Sequence, residues 1–191
     1  MTRKTGALVL AAGFSHRFGS IKLCAELNNG KTVFQQTLQR ISRIIDTVTV
    51  VTRPELLPML ASDHQDIHAF EHAERGMGAT LAYGIGLVHE WDACLICLAD
   101  MPFIHEASYQ LLADAVCRDN IVIPFHQGHA GNPVGFGSAY FSQLRQLSGD
   151  SGGRPVVRQY PEAVVRLNIE DPAILWDIDT PDDLASYQEK V

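Results

Sequence analysis

Apolar segments alternate with helical patterns along most of this 191-residue chain. The first apolar segment, GALVLAA, is followed by Phe34, Leu38 and Ile41, whose spacing places them on one face of a helix. Further strands are predicted at 46–52, 67–70, 93–99 and 120–124, with candidates in PVGFG, AVVRLNI and ILWDID. Further helices are predicted at 54–61, around Leu81, Ile85 and Val88, at 111–116 and at 181–189. This alternation predicts an α/β fold with a mostly parallel sheet between helices, and without an evident linker we expect residues 1–191 to form a single domain.

The charge and the apolar runs limit the partners and the location that we expect. A formal net charge of −7 argues against a general affinity for nucleic acids or anionic membranes. The apolar run Ala7–Ala12 is shorter than the roughly 7–15 residues of a signal-peptide core, and no run approaches the roughly 20 residues of a membrane span. We therefore expect a cytoplasmic protein with no nucleic-acid or membrane partner.

Two patterns resemble metal or redox motifs but have simpler explanations. Cys94 and Cys97 form a C-x-x-C in the apolar segment ACLICLA, where strand alternation would put them on opposite faces. We expect them to be buried and the chain to have no structural disulfide. His64, His68 and His72 have the four-residue spacing of a helical metal face, but their segment includes a predicted strand, so we expect exposure to solvent.

Charged residues follow three of the predicted strands, at the ends where parallel sheets bind ligands. A loop from Gly13 to Lys22 carries Arg17, and its backbone N–H groups and two cations are suited to phosphate oxygens. Asp100 follows segment 93–99, and Asp177 and Asp179 end the ILWDID candidate, where strand alternation would point both in the same direction. Carboxylates at such positions are suited to a hard cation such as Mg²⁺.

Each of these features alone has a structural alternative. The loop could be a solvated turn, Asp100 could cap a helix, and Asp179 or Thr180 could cap the last helix. The loop also matches neither G-x-G-x-x-G nor G-x-x-x-x-G-K-[ST]. A parallel sheet would nevertheless bring the three features to one edge, where the cations hold phosphates and the aspartates hold Mg²⁺. Their combination predicts a Mg²⁺–triphosphate site.

Ordered motifs from residue 7 to residue 184 resemble those of the MobA-like nucleotidyltransferases, and within these most closely the molybdenum cofactor cytidylyltransferase branch. The motifs are LAAGFSHRFGSIKL (10–23), ERGMGATLAYGI (74–85), LADMP (98–102), GNPVGF (131–136), GDSGGR (149–154) and WDIDTPDDL (176–184). The resemblance implies a Rossmann-like three-layer nucleotidyltransferase fold. Three positions depart from the pattern: Thr80 replaces the usual Ser, Gly153 replaces Ala, and Asn132 stands where His is common.

The resemblance also implies roles for individual residues. Arg17, Lys22 and Asp100 are the predicted catalytic residues, with the two cations holding the triphosphate. The predicted nucleotide-binding set comprises Leu10, Ala11, Ala12, Gly13, Arg17, Lys22, Gly78, Thr80 and Asp100. Asp100 and Asp177 are the predicted Mg²⁺ ligands, with Asp179 a weaker candidate. Asn132, Asp150 and Arg154 are expected to face the acceptor.

The implied reaction transfers CMP from CTP to the terminal phosphate of molybdopterin or molybdenum cofactor, with release of pyrophosphate. The acceptor phosphate, with a second pKa of about 6, is already an anionic nucleophile near neutral pH, so no general base is required. In the resembled families A-A-G accompanies CTP and A-G-G accompanies GTP, so Ala12 favours CTP. A molybdenum hydroxylase or its chaperone is a further expected partner. The alternatives are guanylyl transfer, transfer to a sugar or alcohol phosphate, and non-catalytic cofactor delivery.

Overall fold

The computed structural model describes residues 4–61 and 66–190, and within these ranges eight strands form one sheet. The strands are β1 (Thr5–Ala11), β2 (Val48–Thr52), β3 (Asp66–Ala69), β4 (Ala93–Leu98), β5 (Ile121–His126), β6 (His129–Ala130), β7 (Val134–Gly137) and β8 (Val164–Asn168). Their order is β3-β2-β1-β4-β7-β5-β6, and β8 also pairs with β5. The pairs β1–β2, β1–β4, β2–β3 and β5–β8 are parallel, whereas β7 runs antiparallel to β4 and β5. The predicted mostly parallel sheet is thus confirmed; PVGFG supplies the antiparallel β7, and the two-residue β6 also pairs antiparallel with β5.

Helices cover both faces of this sheet. They are α1 (Val33–Ser42), α2 (Leu57–Leu60), α3 (Met77–Leu87), α4 (Glu106–Ala115), α5 (Phe141–Leu144), α6 (Arg154–Gln159) and α7 (Pro181–Gln188). On β1, Val9 belongs to the buried cluster that contains α1 and α4, and Leu8 belongs to the cluster that contains α3, α5 and α6. Alternate side chains of one strand therefore enter two cores, which confirms the three-layer arrangement. In the described ranges no helix is long and apolar enough to span a membrane.

Side-chain caps fix where the first and the last long helices begin. Thr32 accepts a hydrogen bond from the Gln35 backbone N–H, and the Gln35 side chain accepts one from the Thr32 N–H. Thr180 and Asp183 form the same reciprocal pair at the start of α7, where Pro181 occupies the first turn. The predicted closing helix and its Thr180 cap are confirmed.

The strand candidate ILWDID is wrong. Pro172–Leu175 forms a 3₁₀ helix that begins where the Asp171 carboxylate accepts a hydrogen bond from the Ala173 N–H. A proline in the first turn after an aspartate cap favours this helical start over a strand. The chain then crosses the carboxyl edge of the sheet, where the Ile178 N–H donates to the Asp100 carbonyl at 3.1 Å. Asp177 and Asp179 are therefore positioned by this crossing and not by strand alternation.

Candidate active site

The loop after β1 and the residue after β4 meet because the two strands are neighbours. Leu10 pairs with Leu98 in the parallel ladder, and the Ala99 N–H donates to the Leu10 carbonyl at 3.1 Å. Ala11 and Ala12 are buried, whereas Gly13 is exposed and a methyl group added there would meet nothing within 4 Å. The structure thus places the predicted nucleotide-binding segment at the carboxyl edge, with open space beside Gly13.

Lys22 lies at the centre of a charged cluster at this edge. Its Nζ donates to Asp100 Oδ2 at 2.5 Å, to the Ile178 carbonyl at 2.8 Å and to Asp179 Oδ1 at 3.4 Å. The Lys22 side chain is only 11% exposed. The ammonium group is thus held by the protein's own oxygens. The sequence predicted Lys22 and Asp100 for one site, but not this direct pairing between them.

Arg17 joins the same cluster from the solvent side. Its Nη2 lies 2.6 Å from Asp179 Oδ2, while its side chain is 72% exposed. Asp179 therefore accepts from both predicted triphosphate-binding cations. We name Arg17, Lys22, Asp100, Asp177 and Asp179 the charged rim.

Two observations on the charged rim bear on the predicted metal. Asp100 Oδ1 is buried, and within the residues that the structure describes it has no hydrogen-bond partner. A buried carboxylate oxygen without a partner is costly, and a hard cation or its water shell would satisfy it. The pKa of Asp177 is raised, mainly because its carboxyl group is partly buried and also because the Asp100 carboxylate lies nearby. A bound cation would lower this pKa again. Both aspartates fit the predicted Mg²⁺, although residues 4–61 and 66–190 contain no group of three or more His, Cys, Asp or Glu that could hold a metal ion.

A cavity of about 580 Å³ lies beside the charged rim, between the sheet and the helices α3 and α6. It brings together the three predicted acceptor residues, Asn132, Asp150 and Arg154, and Leu10 and Asp177 also line it. These predicted residues, remote in sequence, therefore share one cavity. Its wall also includes residues for which the sequence analysis predicted no role in the site. They are Met77, Leu81, Ile96, Leu98, Ile123, Val134, Phe136, Val157 and Arg158.

Gly78 and Thr80 do not line this cavity; they lie in α3 and are buried. The Gly78 N–H donates to the Gly149 carbonyl at 2.7 Å, and a methyl group at Gly78 would lie 2.8 Å from the Ser148 carbonyl oxygen. The Thr80 hydroxyl donates to the Gly76 carbonyl at 3.3 Å. In this structure the second motif therefore packs closely against the GDSGGR motif, and Thr80 satisfies its hydroxyl within its own helix.

The cysteines follow the expectation, whereas the described histidines of the predicted triplet follow it only in part. Cys94 and Cys97 are buried in the two different cores, and all four cysteines are free. Burial raises the pKa of both thiols above the usual range. His72 is 62% exposed, whereas His68 is partly buried and its Nε2 lies 2.6 Å from Asp66 Oδ1. His64 lies outside the described residues.

A charged rim at the carboxyl edge of the sheet, next to a cavity, is where three-layer α/β proteins bind their ligands. The chain belongs to the MobA-like NTP transferase domain family, whose model matches residues 7–164. It is 30% identical over 189 residues to the purine catabolism protein PucB of Bacillus subtilis, which covers 91% of each chain. It is 28% identical over 193 residues to the molybdenum cofactor cytidylyltransferase of Escherichia coli, which covers 96% of this chain and 95% of that protein.

Solved structures share the fold over its whole length. The crystal structure of Rv0371c from Mycobacterium tuberculosis superposes with a TM-score of 0.87 and 27% identity, covering 100% of both chains. A second crystal structure of that protein, in complex with manganese, gives a TM-score of 0.83 and 23% identity, covering 98% of this chain and 100% of the other. The predicted family and fold are thus confirmed.

Proposed function

We propose that this nucleotidyltransferase transfers CMP from CTP to the terminal phosphate of molybdopterin or molybdenum cofactor and releases pyrophosphate. The observation that carries the proposal is the position of the charged rim beside the cavity. Asp177 belongs to both, so a nucleotide on the rim and an acceptor in the cavity would meet at one carboxylate. The similarity to a molybdenum cofactor cytidylyltransferase supports this choice of substrates.

The nucleotide half of the site would use the chain's own cations. Arg17 is exposed and reaches Asp179, and Lys22 reaches both Asp100 and Asp179, so both lie where phosphate oxygens could replace carboxylate oxygens as their partners. The backbone from Ala11 to Gly13 would border the nucleotide. Such a site accelerates transfer by fixing two anions in position and by neutralising charge as pyrophosphate leaves.

Mg²⁺ is the proposed cofactor, and Asp100 and Asp177 would hold it. Mg²⁺ in phosphoryl-transfer sites is often bound by one or two carboxylates, with waters and substrate phosphates completing its coordination. When bound it would supply charge neutralisation at the phosphates. Asp179 is a weaker candidate because its two carboxylate oxygens already accept from Lys22 and Arg17. The manganese complex of Rv0371c supports a divalent cation in a protein of this fold.

The test is pyrophosphate release with CTP and GTP in parallel, each with Mg²⁺ and molybdenum cofactor. We expect release with CTP and little with GTP. Release with GTP alone would reverse the choice of nucleotide, and no release with either would refute the proposed reaction. Thermal unfolding provides a second measurement, because a ligand at about 100 times its Kd adds roughly 2.7 kcal/mol to stability.

Ala12 gives a variant that tests the origin of the nucleotide preference. Ala12 is 7% exposed and ends the buried part of the segment that would border the base. Replacing it with glycine removes one methyl group and would widen the space for a purine. We expect Ala12→Gly to raise GTP-dependent release relative to CTP-dependent release, and an unchanged ratio would contradict the role of Ala12.

A further inference from the structure

Two arginines of α6 line the same wall of the cavity. Arg154 and Arg158 are four residues apart in this helix, so their side chains lie on one face. Within the described residues neither guanidinium group has a hydrogen bond, an ion pair or a ring contact. Arg154 was expected at the acceptor, but Arg158 has no role in the site so far.

An unpaired arginine alone does not define a site. Arg145, at the end of α5, is exposed and also has no side-chain partner in the part of the chain that the structure describes, and it does not line the cavity. A solvated arginine is the simple explanation for such a residue. The α6 pair is exposed as well, but it differs from Arg145 because both of its members line the partly open cavity, which has a defined opposite wall.

The opposite wall of the cavity is apolar. It is formed by side chains of β1, β4, β5 and β7, namely Leu10, Ile96, Leu98, Ile123, Val134 and Phe136. A volume of about 580 Å³ is within the range of small-molecule sites, which combine apolar walls with a few charged groups. The cavity therefore suits a ligand with a largely apolar body and one strongly anionic group.

The charges around the cavity favour a phosphate as that group. Asp150 and Asp177 also line it, so an anion would meet two carboxylates unless cations offset them. The two guanidinium groups offset these carboxylates, and each can donate two parallel hydrogen bonds to the oxygens of a phosphate. We propose that Arg154 and Arg158 together bind the phosphate of the acceptor, a phosphate monoester whose apolar part packs on the apolar wall. The assignment of this ligand as the acceptor rests on the proposed function, whereas the binding itself requires neither nucleotide nor metal.

The experiment compares a charged and an uncharged probe, 1-naphthyl phosphate and 1-naphthol, by calorimetric titration without nucleotide or metal. In the unmodified protein we expect the phosphate to bind at least about tenfold more tightly, as for hydrogen bonds to charged groups. Arg158→Gln should reduce that ratio by roughly tenfold and leave the naphthol affinity unchanged. Arg145→Gln is the matched control and should leave both affinities unchanged.

The pH dependence adds a second readout. The second ionisation of a phosphate monoester has a pKa of about 6, so its affinity should rise from pH 5 to pH 7.5. The rise should be absent in the double variant Arg154→Gln/Arg158→Gln.

The proposal is overturned if Arg158→Gln binds both probes as the unmodified protein does, or if CTP competes with naphthyl phosphate and Arg158→Gln weakens CTP equally. In the first case Arg158 is a solvated surface residue, and in the second the cavity is part of the nucleotide site. These outcomes are separate from failure of the proposed reaction. Absence of pyrophosphate release, with phosphate binding that still depends on Arg158, would refute the reaction and leave the phosphate site in place.

Discussion

The charged rim and the cavity wall that carries Arg154 and Arg158 differ in whether their cations are paired within the chain. On the rim, Lys22 and Arg17 are paired with aspartates of the same chain at 2.5 and 2.6 Å. On the wall, Arg154 and Arg158 have no side-chain partner within the described ranges. A paired cation is fixed in position before any ligand arrives, whereas an unpaired one gains its first partner from the ligand. The rim is thus built for precise placement, and the cavity wall for attraction of an anion.

The largest effect is expected from breaking the rim at Asp100. Asp100→Asn keeps the size of the side chain but removes the charge next to Lys22 and weakens the proposed cation site. We expect pyrophosphate release to fall by on the order of 10²–10³, the usual consequence of removing a group that stabilises developing charge. The fold should remain, as judged by circular dichroism.

The matched control for this change is Asp92→Asn. Asp92 precedes β4 at the opposite end of the strand, where its carboxylate accepts from the Lys4 N–H at 2.9 Å. Its replacement should leave turnover unchanged. If Asp100→Asn also turned over normally, Asp100 would have no part in the reaction.

Removal of the Lys22 ammonium group should weaken nucleotide binding by an amount that depends on the number of phosphates. Lys22→Met is expected to weaken CTP binding by roughly tenfold or more and CMP binding by much less, because the outer phosphates lose a charged donor. Lys31→Met is the control, since the Lys31 ammonium donates to the Gln39 side chain in the second half of α1 and not to a residue of the charged rim. Equal losses for CTP and CMP would show that Lys22 does not contact the outer phosphates.

The sequence predicted the layers of the fold and the convergence of Lys22 with Asp100 more successfully than it predicted local geometry. Periodicity is sufficient for the layers, because alternation along β1 and β4 decides which side chains enter which core. It failed at Asp177, where an aspartate cap and a proline start a 3₁₀ helix in an apolar segment that resembles a strand. It also missed Arg158, although the spacing from Arg154 indicates one helix face. That signal becomes useful only once a cavity is known to lie on that face.

On the cavity side, Gly153 tests how tightly the wall is packed. A methyl group at this position would lie 2.8 Å from Cζ of the buried Phe136. We expect Gly153→Ala to lower the free energy of unfolding by about 1–3 kcal/mol, as for other overpacked sites. Urea denaturation measures it, and adding Phe136→Leu should recover part of the loss.

Gly86 provides the opposite expectation in the neighbouring helix. A methyl group there meets nothing within 4 Å, so Gly86→Ala should raise stability by roughly 0.5–1 kcal/mol through helix propensity. If both alanine variants changed stability in the same direction, packing against Phe136 would not be the cause of the Gly153 effect.

A further small effect concerns the support behind the rim. Asp183 Oδ2 accepts from the Thr180 N–H and hydroxyl, both at 2.7 Å, and from the Asp179 N–H at 3.2 Å, so the cap of α7 also fixes the backbone of a rim residue. Asp183→Ala should cost on the order of 1 kcal/mol of stability at pH 7, whereas Asp182→Ala, which leaves this capping box intact, should cost less.

The contribution of Asp183 should depend on pH. Hydrogen bonds from Thr180 lower the pKa of Asp183 in the folded protein. The stabilisation is therefore present above the unfolded-state pKa of about 3.9 and is lost as pH falls through the folded-state pKa. Urea unfolding at pH 7 and in a series down to pH 3 should therefore show the difference between the protein and Asp183→Ala shrinking with acidity; a constant difference would mean that the carboxylate charge is not what stabilises the cap.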